Sequence, residues 1–192
     1  MNLHGKRNDA QSSEGSMKAY LPETWNDPRI EIRRSSIGGV GMFASQPIRE
    51  GEVVVIVGGT VMTEAEFAAF QAAHSFYNFI QIDKHLHLVE DPEVTQSLEG
   101  SMNHSCDSNT WMEDEVTLVA RREIKAGEEL TVDYALFTTQ SNWMLDNRCH
   151  CGSPDCRRVI TGDDWRREDV QERYQGHFSP FINRKIENLS KE

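Results

Sequence analysis

The four cysteines constrain this chain more than any other feature, because their spacing does not suit a disulfide framework. Cys106 stands alone, and the other three lie in one run, Cys149-His150-Cys151-Gly152-Ser153-Pro154-Asp155-Cys156. A disulfide between residues two positions apart is strained, whereas two thiolates at that spacing can bind one ion. The Gly-Ser-Pro turn brings the last thiol of the run back towards the same point. The pattern predicts a zinc site in the C-terminal part of the chain.

The residues themselves leave the fourth zinc ligand open. A tetrahedral site closed by four protein ligands is structural. Cys106 is the natural candidate, and His104 or His150 could substitute for it. The other interpretations are free, reduced thiols and disulfides. Disulfides are disfavoured because the sequence shows no secretory segment that would direct the chain to an oxidising compartment.

The charge of the chain argues against direct nucleic-acid binding. The formal net charge is -11, and residues 52–133 hold 16 acidic but only four basic side chains. Nucleic-acid-binding proteins need a basic face that displaces counterions from phosphates. The acidic middle of the chain fits a cationic partner better, although an acidic surface can also serve only to keep a protein in solution.

Length and hydrophobicity predict one domain that does not contact a membrane. A chain of 192 residues with 38% hydrophobic residues can bury one sizeable core. No stretch approaches the roughly 18 apolar residues of a membrane span. Met1–Tyr20 contains no apolar block followed by a cleavage site. We therefore expect a soluble, intracellular protein.

Short β-rich runs, separated by breaks rich in Gly or Asp, predict several small sheets. One helix is predicted over Glu64–Ala73, where Thr63 and Glu66 have the spacing of a capping box. The predicted strands are Ile30–Arg33, Val53–Val57, Phe79–Ile82, His85–Val89 and Val116–Arg121.

The two ends of the chain differ from its middle. Met1–Lys18 is rich in Asn, Ser, Gln and Gly, so it cannot repay its ordering entropy, and we predict a disordered tail within residues 1–28. At the other end a helical pattern begins at Asp163 or Asp164 and breaks at Gly176 and Pro180. It predicts a helical C-terminal appendage over residues 162–192.

Three further motifs precede the cysteine run. They are Gly38-Gly39-Val40-Gly41-Met42-Phe43-Ala44, Asn103-His104-Ser105-Cys106 and Gly127-Glu128-Glu129-Leu130-Thr131-Val132-Asp133-Tyr134. Taken singly, a Gly-Val-Gly indicates a turn that needs a positive φ, and a tyrosine is most often a core aromatic. Taken in order with the cysteine run, the motifs resemble the SET domain of protein lysine methyltransferases with its post-SET zinc segment. The resemblance covers roughly Ile30–Ile160.

The resemblance implies a mainly β fold, a β-rich α+β arrangement of several small, mostly antiparallel sheets around a knot-like core. In that core, residues 129–134 thread beneath the loop of residues 103–106. The SET domain would span residues 29–137 and the post-SET zinc segment residues 138–161, with Glu64–Ala73 as a variable insert helix. The implied zinc ligands are Cys106, Cys149, Cys151 and Cys156.

The resemblance also implies the site residues of an S-adenosylmethionine-dependent enzyme. Tyr134 corresponds to the catalytic tyrosine, and Tyr77 and Val132 would line the channel for the substrate lysine, with a plain core role as the alternative for Tyr77. Val159 would fold over the adenine together with Ile160. The implied cofactor-binding residues are Gly39, Val40, Gly41, Met42, Asn103, His104, Tyr134 and Ile160.

The implied reaction is methyl transfer to the ε-amine of a lysine in a histone or another basic protein. Its alternative is a catalytically inactive SET module that binds peptides or acts as a scaffold. Val132 stands where the family often has Phe or Tyr, which predicts addition of two or three methyl groups unless Tyr77 takes over that position. The protein would be nuclear if the source is eukaryotic and cytoplasmic if it is bacterial.

Overall fold

The computed structural model describes residues 19–74, 77–91 and 102–189. Within these ranges eleven strands form three small sheets, so the predicted β-rich class is confirmed. No helix in these ranges is long and apolar enough to cross a membrane. The strands are β1 Trp25–Asn26, β2 Ile30–Arg34, β3 Val40–Ala44, β4 Val53–Ile56, β5 Thr60–Thr63, β6 Phe79–Asp83, β7 Leu86–Val89, β8 Asn103–His104, β9 Thr110–Met112, β10 Thr117–Ala120 and β11 Glu129–Val132.

The N-terminal boundary of the fold lies earlier than predicted. Residues 1–18 of the predicted tail lie outside the described residues. The tail was also predicted to reach residue 28, and this is wrong, because Trp25 and Asn26 pair with Ile56 and Val55 of β4. Pairing with an inner strand satisfies the backbone polar groups of this short segment.

The five predicted strands are present with ends shifted by one residue, and the strands missed by the prediction are short or rich in Gly and polar residues. Helix α1 spans Glu64–Ala73 as predicted, and its capping box is confirmed. The Thr63 N–H donates to Glu66 Oε2 at 2.8 Å, and Glu66 N–H donates to Thr63 Oγ1 at 3.4 Å. The helix buries Phe67, whose ring stacks on His87 at 4.2 Å.

Strand β11 is the element that assembles the site. It pairs antiparallel with β3, where Leu130 lies opposite Met42. On its other edge it pairs in parallel with β8, where Val132 lies opposite His104. Strands β8 and β11, which are about 30 residues apart in the chain, therefore lie side by side, as the resemblance to a knot-like core implies.

The C-terminal residues are part of the main core and are not an appendage. They form a short 3-10 helix over Asp164–Arg166, followed by α2 over Glu168–Arg173 and α3 over Pro180–Leu189. Pro180 does not end the helical region but begins α3, a position where the missing N–H of proline has no intrahelical partner to lose. The side chains that this region buries are Trp165, Val170, Tyr174, Phe178, Phe181 and Ile182.

Candidate active site and cysteine cluster

A cavity of about 270 Å³ opens between the sheets and the segment that follows β11. It brings together four of the residues singled out in the sequence, namely Met42, Tyr77, Val132 and Tyr134. Its wall is mostly apolar and aromatic. The other lining residues are Thr24, Asn26, Val55, Val57, Asn78, Phe79, Ile80, Glu90, Met102, Leu118, Phe137, Thr138 and Trp143.

Tyr134 begins a 3-10 helix, Tyr134–Leu136, immediately after β11. Asp133 caps this helix by accepting the Ala135 N–H at 3.1 Å, and this fixes the direction in which the Tyr134 side chain leaves the backbone. The Tyr134 hydroxyl donates to the Met102 carbonyl at 3.1 Å. Burial raises the pKa of Tyr134 to about 12, so the hydroxyl is protonated at neutral pH.

Tyr77 lies at the wall of the same cavity and is tied to α1. Its hydroxyl accepts a hydrogen bond from Gln71 Nε2 at 2.8 Å. Its ring meets Phe67 and Phe70 edge-on, at centroid distances of 6.0 and 5.5 Å. Tyr77 therefore lines the cavity and also packs against the helix, and its hydroxyl is held by a side chain of α1.

Asn103 ties β8 to the glycine-rich strand β3. Its Nδ2 donates to the Val40 carbonyl at 2.9 Å and to Glu129 Oε1 at 2.7 Å. A Cβ at Gly41 would lie 2.2 Å from Glu129 Oε1, so only glycine leaves room for these two side chains. Gly39 has a φ of +51°, which also favours glycine. Gly39 is therefore favoured by its backbone conformation, and Gly41 by the space that the Glu129 and Asn103 side chains occupy.

His104 connects Tyr134 with the cysteines. The Tyr134 N–H donates to His104 Nδ1 at 3.2 Å, so Nδ1 carries no proton and Nε2 does. Nε2 lies 3.3 Å from Cys106 Sγ and donates to it. Burial lowers the pKa of His104 to about 4, which keeps the ring neutral. His104 is therefore a hydrogen-bond donor to a cysteine and not the fourth member of the cysteine cluster.

The four cysteines converge although 43 residues separate Cys106 from Cys149. The Sγ atoms of Cys106, Cys149, Cys151 and Cys156 all lie within 4.8 Å of one another, and none is in a disulfide. Thiolates of a tetrahedral zinc site lie roughly 3.8 Å apart, given Zn–S bonds of about 2.3 Å. The donor set and its compactness fit zinc, as the sequence predicted.

Ile160 lies beside the cysteine cluster. Its side chain is fully buried and packs with Cys106 and Cys149 in a small core of their own. Its neighbour Val159 is 48% exposed. The apolar surface that this segment offers to a ligand is therefore that of Val159, because Ile160 is enclosed by the cysteine cluster.

Sequence reasoning missed three aromatic residues of the cavity wall, Phe79, Phe137 and Trp143. The ring centroids of Phe137 and Trp143 lie 5.7 and 5.9 Å from that of Tyr134. Trp143 carried a usable signal, because Trp143, Met144 and Leu145 form a short apolar run in the polar stretch between Tyr134 and the cysteine run. Phe137, which follows the 3-10 helix, and Phe79, which begins β6, carried none, because a phenylalanine beside such an element is normally a core residue.

The comparison with known proteins agrees with the order of the motifs. A family model described as the SET domain matches residues 39–135. The chain is 28% identical over 156 residues to histone-lysine N-methyltransferase ATX2 of Arabidopsis thaliana, and this match covers 73% of this chain and 14% of that protein. It is also 32% identical over 150 residues to histone-lysine N-methyltransferase ash1 of Drosophila melanogaster, and this match covers 72% of this chain and 7% of that protein.

The crystal structure of an active polycomb repressive complex 2 in the basal state also matches, with a TM-score of 0.44 and 20% identity, over 55% of this chain and 15% of that chain. The chain thus spans only a small part of the length of the curated relatives named above. The family model, however, covers half of the chain and includes β3, β8, β11 and Tyr134. The protein belongs to the SET domain family.

Proposed function

We propose that this protein transfers methyl groups from S-adenosylmethionine to the ε-amine of a lysine in a basic protein. The observation that carries the proposal is the position of Tyr134, whose side chain lies in the wall of an apolar, aromatic cavity together with Tyr77 and Val132. The family match and the names of the relatives, which are histone-lysine N-methyltransferases, support the same reaction.

The cavity suits a lysine that must become a nucleophile. A lysine amine has an ordinary pKa of about 10.4 and is protonated at neutral pH. An apolar environment disfavours the charged form, so entry into this cavity lowers the pKa of the amine. The walls would hold the amine in one orientation towards the methyl donor, and such orientation lowers the barrier. The Tyr134 hydroxyl, anchored on the Met102 carbonyl, positions and polarises the reacting groups and forms no covalent intermediate.

The cofactor would lie on the side of Tyr134 formed by β3 and β8. We assign its binding to the backbone and side chains of Gly39, Val40, Gly41, Met42, Asn103 and His104, with Val159 covering the adenine in place of the enclosed Ile160. S-adenosylmethionine supplies the methyl group as an electrophile on a positively charged sulfur. The chain's own contribution is to bind it, to exclude water and to keep the Tyr134 hydroxyl protonated.

Zinc would have a structural role here. The four thiols make a closed set with no position for water, and sites of this kind order the protein around them. His104 Nε2–H and Arg157 N–H both lie 3.3 Å from Cys106 Sγ, and they would stabilise a bound thiolate. We expect one zinc ion per chain by elemental analysis, and a purified protein without metal that still orders residues 138–161 would contradict this.

The substrate class follows from charge and from the relatives. An acidic chain with a net charge of -11 fits a peptide rich in Lys and Arg. We propose a histone tail or a similar basic segment as the substrate, and for a eukaryotic source this implies a nuclear protein. A peptide array incubated with labelled cofactor, followed by mass spectrometry of the products, identifies the lysine and its flanking residues.

The number of methyl groups depends on Val132 and Tyr77. Val132 is a buried aliphatic residue in the cavity wall and offers no hydrogen bond to hold an amine in one rotamer. The Tyr77 hydroxyl is already engaged by Gln71. We therefore propose that di- or trimethylated product accumulates under excess cofactor. Exclusive monomethylation by both the native protein and Tyr77→Phe would contradict this.

The central test is Tyr134→Phe, which removes only the hydroxyl. We expect S-adenosylmethionine affinity close to native by calorimetry and a fall in methyl transfer of about 100-fold or more, as for loss of one preorganised donor in other enzymes. The matched control is Tyr20→Phe, because the Tyr20 hydroxyl bonds Glu115 and lies outside the cavity. Native transfer by the Tyr134 variant would leave Tyr134 as a core aromatic and favour the inactive, peptide-binding module.

A further inference from the structure

A buried arginine joins the cysteine cluster to the turn that presents Tyr134. Arg157 follows Cys156 directly, and its side chain is only 3% exposed. Its Nη1 and Nη2 each donate to a carboxylate oxygen of Asp133 at 2.7 Å, in a two-bond arrangement. Asp133 is fully buried, so both members of the pair are removed from water. A contact of this geometry fixes both orientation and distance.

Asp133 transmits this contact to the catalytic turn. The Oδ1 atom that accepts from Arg157 also accepts the Ala135 N–H at 3.1 Å, and the Asp133 carbonyl accepts the Leu136 N–H at 3.0 Å. The 3-10 helix that begins with Tyr134 is therefore capped by a carboxylate whose orientation is set by Arg157. Any rotation of that carboxylate displaces the start of the turn and, with it, the Tyr134 side chain.

The backbone of Arg157 belongs to the cysteine cluster. Its N–H donates to Cys106 Sγ at 3.3 Å, and the adjacent residue is one of the four cysteines. The position of the guanidinium thus depends on the order of the segment that carries the cysteines. The order of the cysteine segment therefore affects the position of the Asp133 carboxylate, 24 residues upstream, through the Arg157 side chain.

A second carboxylate, Asp164, lies on the other side of the guanidinium. Arg157 Nε is 2.9 Å from Asp164 Oδ2, but the N–H does not point at this oxygen, so the contact is an ion pair without a hydrogen bond. Asp164 belongs to the C-terminal 3-10 helix, which packs against the turn of Tyr134. Its Oδ1 accepts a hydrogen bond from the Thr161 hydroxyl, whereas the cap of the turn is made by Asp133. Asp164 therefore provides a matched comparison, a neighbouring charge on the same guanidinium with no part in the Asp133 cap.

We propose that Arg157 is a positioning residue that holds Tyr134 in its productive place through Asp133, so that methyl transfer depends on an ordered cysteine segment. This rests on the proposed function. It goes beyond that function because it assigns a role to a residue outside the cavity, and it explains how a structural metal site would affect catalysis without touching substrate.

The test compares Arg157→Lys, Arg157→Met, Asp133→Asn and Asp164→Asn. Lysine keeps the charge but cannot make the two-bond contact, so we expect an intermediate defect for Arg157→Lys. Arg157→Met and Asp133→Asn should lower kcat by about 10-fold or more with a smaller change in KM for S-adenosylmethionine, since small misplacements at a reacting centre are costly. Asp164→Asn should have the smallest effect. Arg167→Lys and Arg167→Met are controls, because Arg167 is half exposed.

Two measurements separate this role from a general loss of structure. Zinc content per chain should stay native in Arg157→Lys and Asp133→Asn. Amide hydrogen exchange of residues 133–137 should increase in the Arg157 and Asp133 variants and not in the Arg167 controls. Native kcat and native exchange in Arg157→Lys and Asp133→Asn, or a fall in kcat fully matched by zinc loss, would overturn the proposal.

The results that would contradict the proposed function differ from those that would contradict the positioning role of Arg157. A native protein that binds no S-adenosylmethionine and methylates no peptide contradicts the function. The exchange measurement still decides whether Arg157 orders the turn of Tyr134. Unchanged exchange in an active enzyme removes the positioning role and leaves the function standing.

Discussion

The sheet region and the cysteine segment of this protein are held together by different means. The sheets share one large core that runs from Met42 in β3 to Ile182 in α3. Residues 138–161 contain no helix or strand, and their small core consists of Cys106, Cys149 and Ile160 with a few half-buried neighbours. Burial of apolar surface stabilises the first region, whereas the second has little to bury and depends on buried ion pairs and on the zinc that we propose for its cysteines.

This difference matters because the cavity draws its wall from both regions. Trp143 comes from the cysteine segment, while Tyr134 and Val132 come from the end of β11. The sheet region holds Tyr134, and the cysteine segment places Trp143 beside it in the cavity wall. The sheets and the cysteine segment can therefore be disturbed separately, although the proposed role of Arg157 makes the placement of Tyr134 depend on an ordered cysteine segment.

Removal of zinc should have the largest effect on the structure. It should unfold the cysteine segment and leave the sheets folded. Structural zinc sites have apparent binding free energies of about 10–16 kcal/mol, far more than the small core around Ile160 can replace. We expect chelation or Cys149→Ser to abolish hydrogen-exchange protection in residues 138–161 while β4 and β10 remain protected. Equal loss of protection in both regions would show that they fold as one unit and would remove the comparison.

A cavity in the sheet core should destabilise the sheets and leave the zinc content unchanged. Leu130 is fully buried in β11, and Leu130→Ala should lower the free energy of unfolding by about 2–5 kcal/mol. The exposed Leu189 provides a control, for which a change within about 0.5 kcal/mol is expected. Urea denaturation measures both variants. Zinc content should remain native in Leu130→Ala, and its loss there would mean that the cluster depends directly on core packing.

Loss of the N-terminal cap should destabilise the insert helix α1 slightly and should not affect the rest of the protein. Thr63→Ala removes the side chain that caps α1, at a cost of about 1 kcal/mol. Hydrogen exchange of α1 should increase while the cysteine segment is unaffected. Thr60→Ala, in the exposed first position of β5, is the matched control. A change in α1 exchange of the same size in both variants would show that the capping box contributes nothing specific.

Tyr134 should show no pH effect of its own in the working range. Burial raises the pKa of its hydroxyl to about 12, so this group stays protonated from pH 7 to pH 10. Any rise in methyl transfer over that range should come from deprotonation of the substrate lysine. The pH profiles of native protein and Tyr134→Phe should therefore be parallel, at different heights. A slope present only in the native profile would mean that Tyr134 itself loses a proton in catalysis.

The convergence of the three-cysteine run and the helix α1 could be predicted from the sequence because their signals are local. The spacing of Cys149, Cys151 and Cys156 limits what those thiols can do, and the Thr63–Glu66 pair marks a helix start whatever surrounds it. The C-terminal region was harder, because Pro180 is compatible both with the end of one helix and with the start of the next. Packing of Phe181 and Ile182 into the core selected the second possibility.

The sequence by itself determined the types of group available: four thiols, an Asn-His pair, and a tyrosine shortly after two glutamates. Only the tertiary structure decided which of them meet. The parallel pairing of β8 with β11 places His104 between Tyr134 and Cys106, and the fold brings Arg157 onto Asp133. These contacts span tens of residues and leave no periodic pattern in the chain, because they depend on how strands cross and not on the propensities of the residues within them.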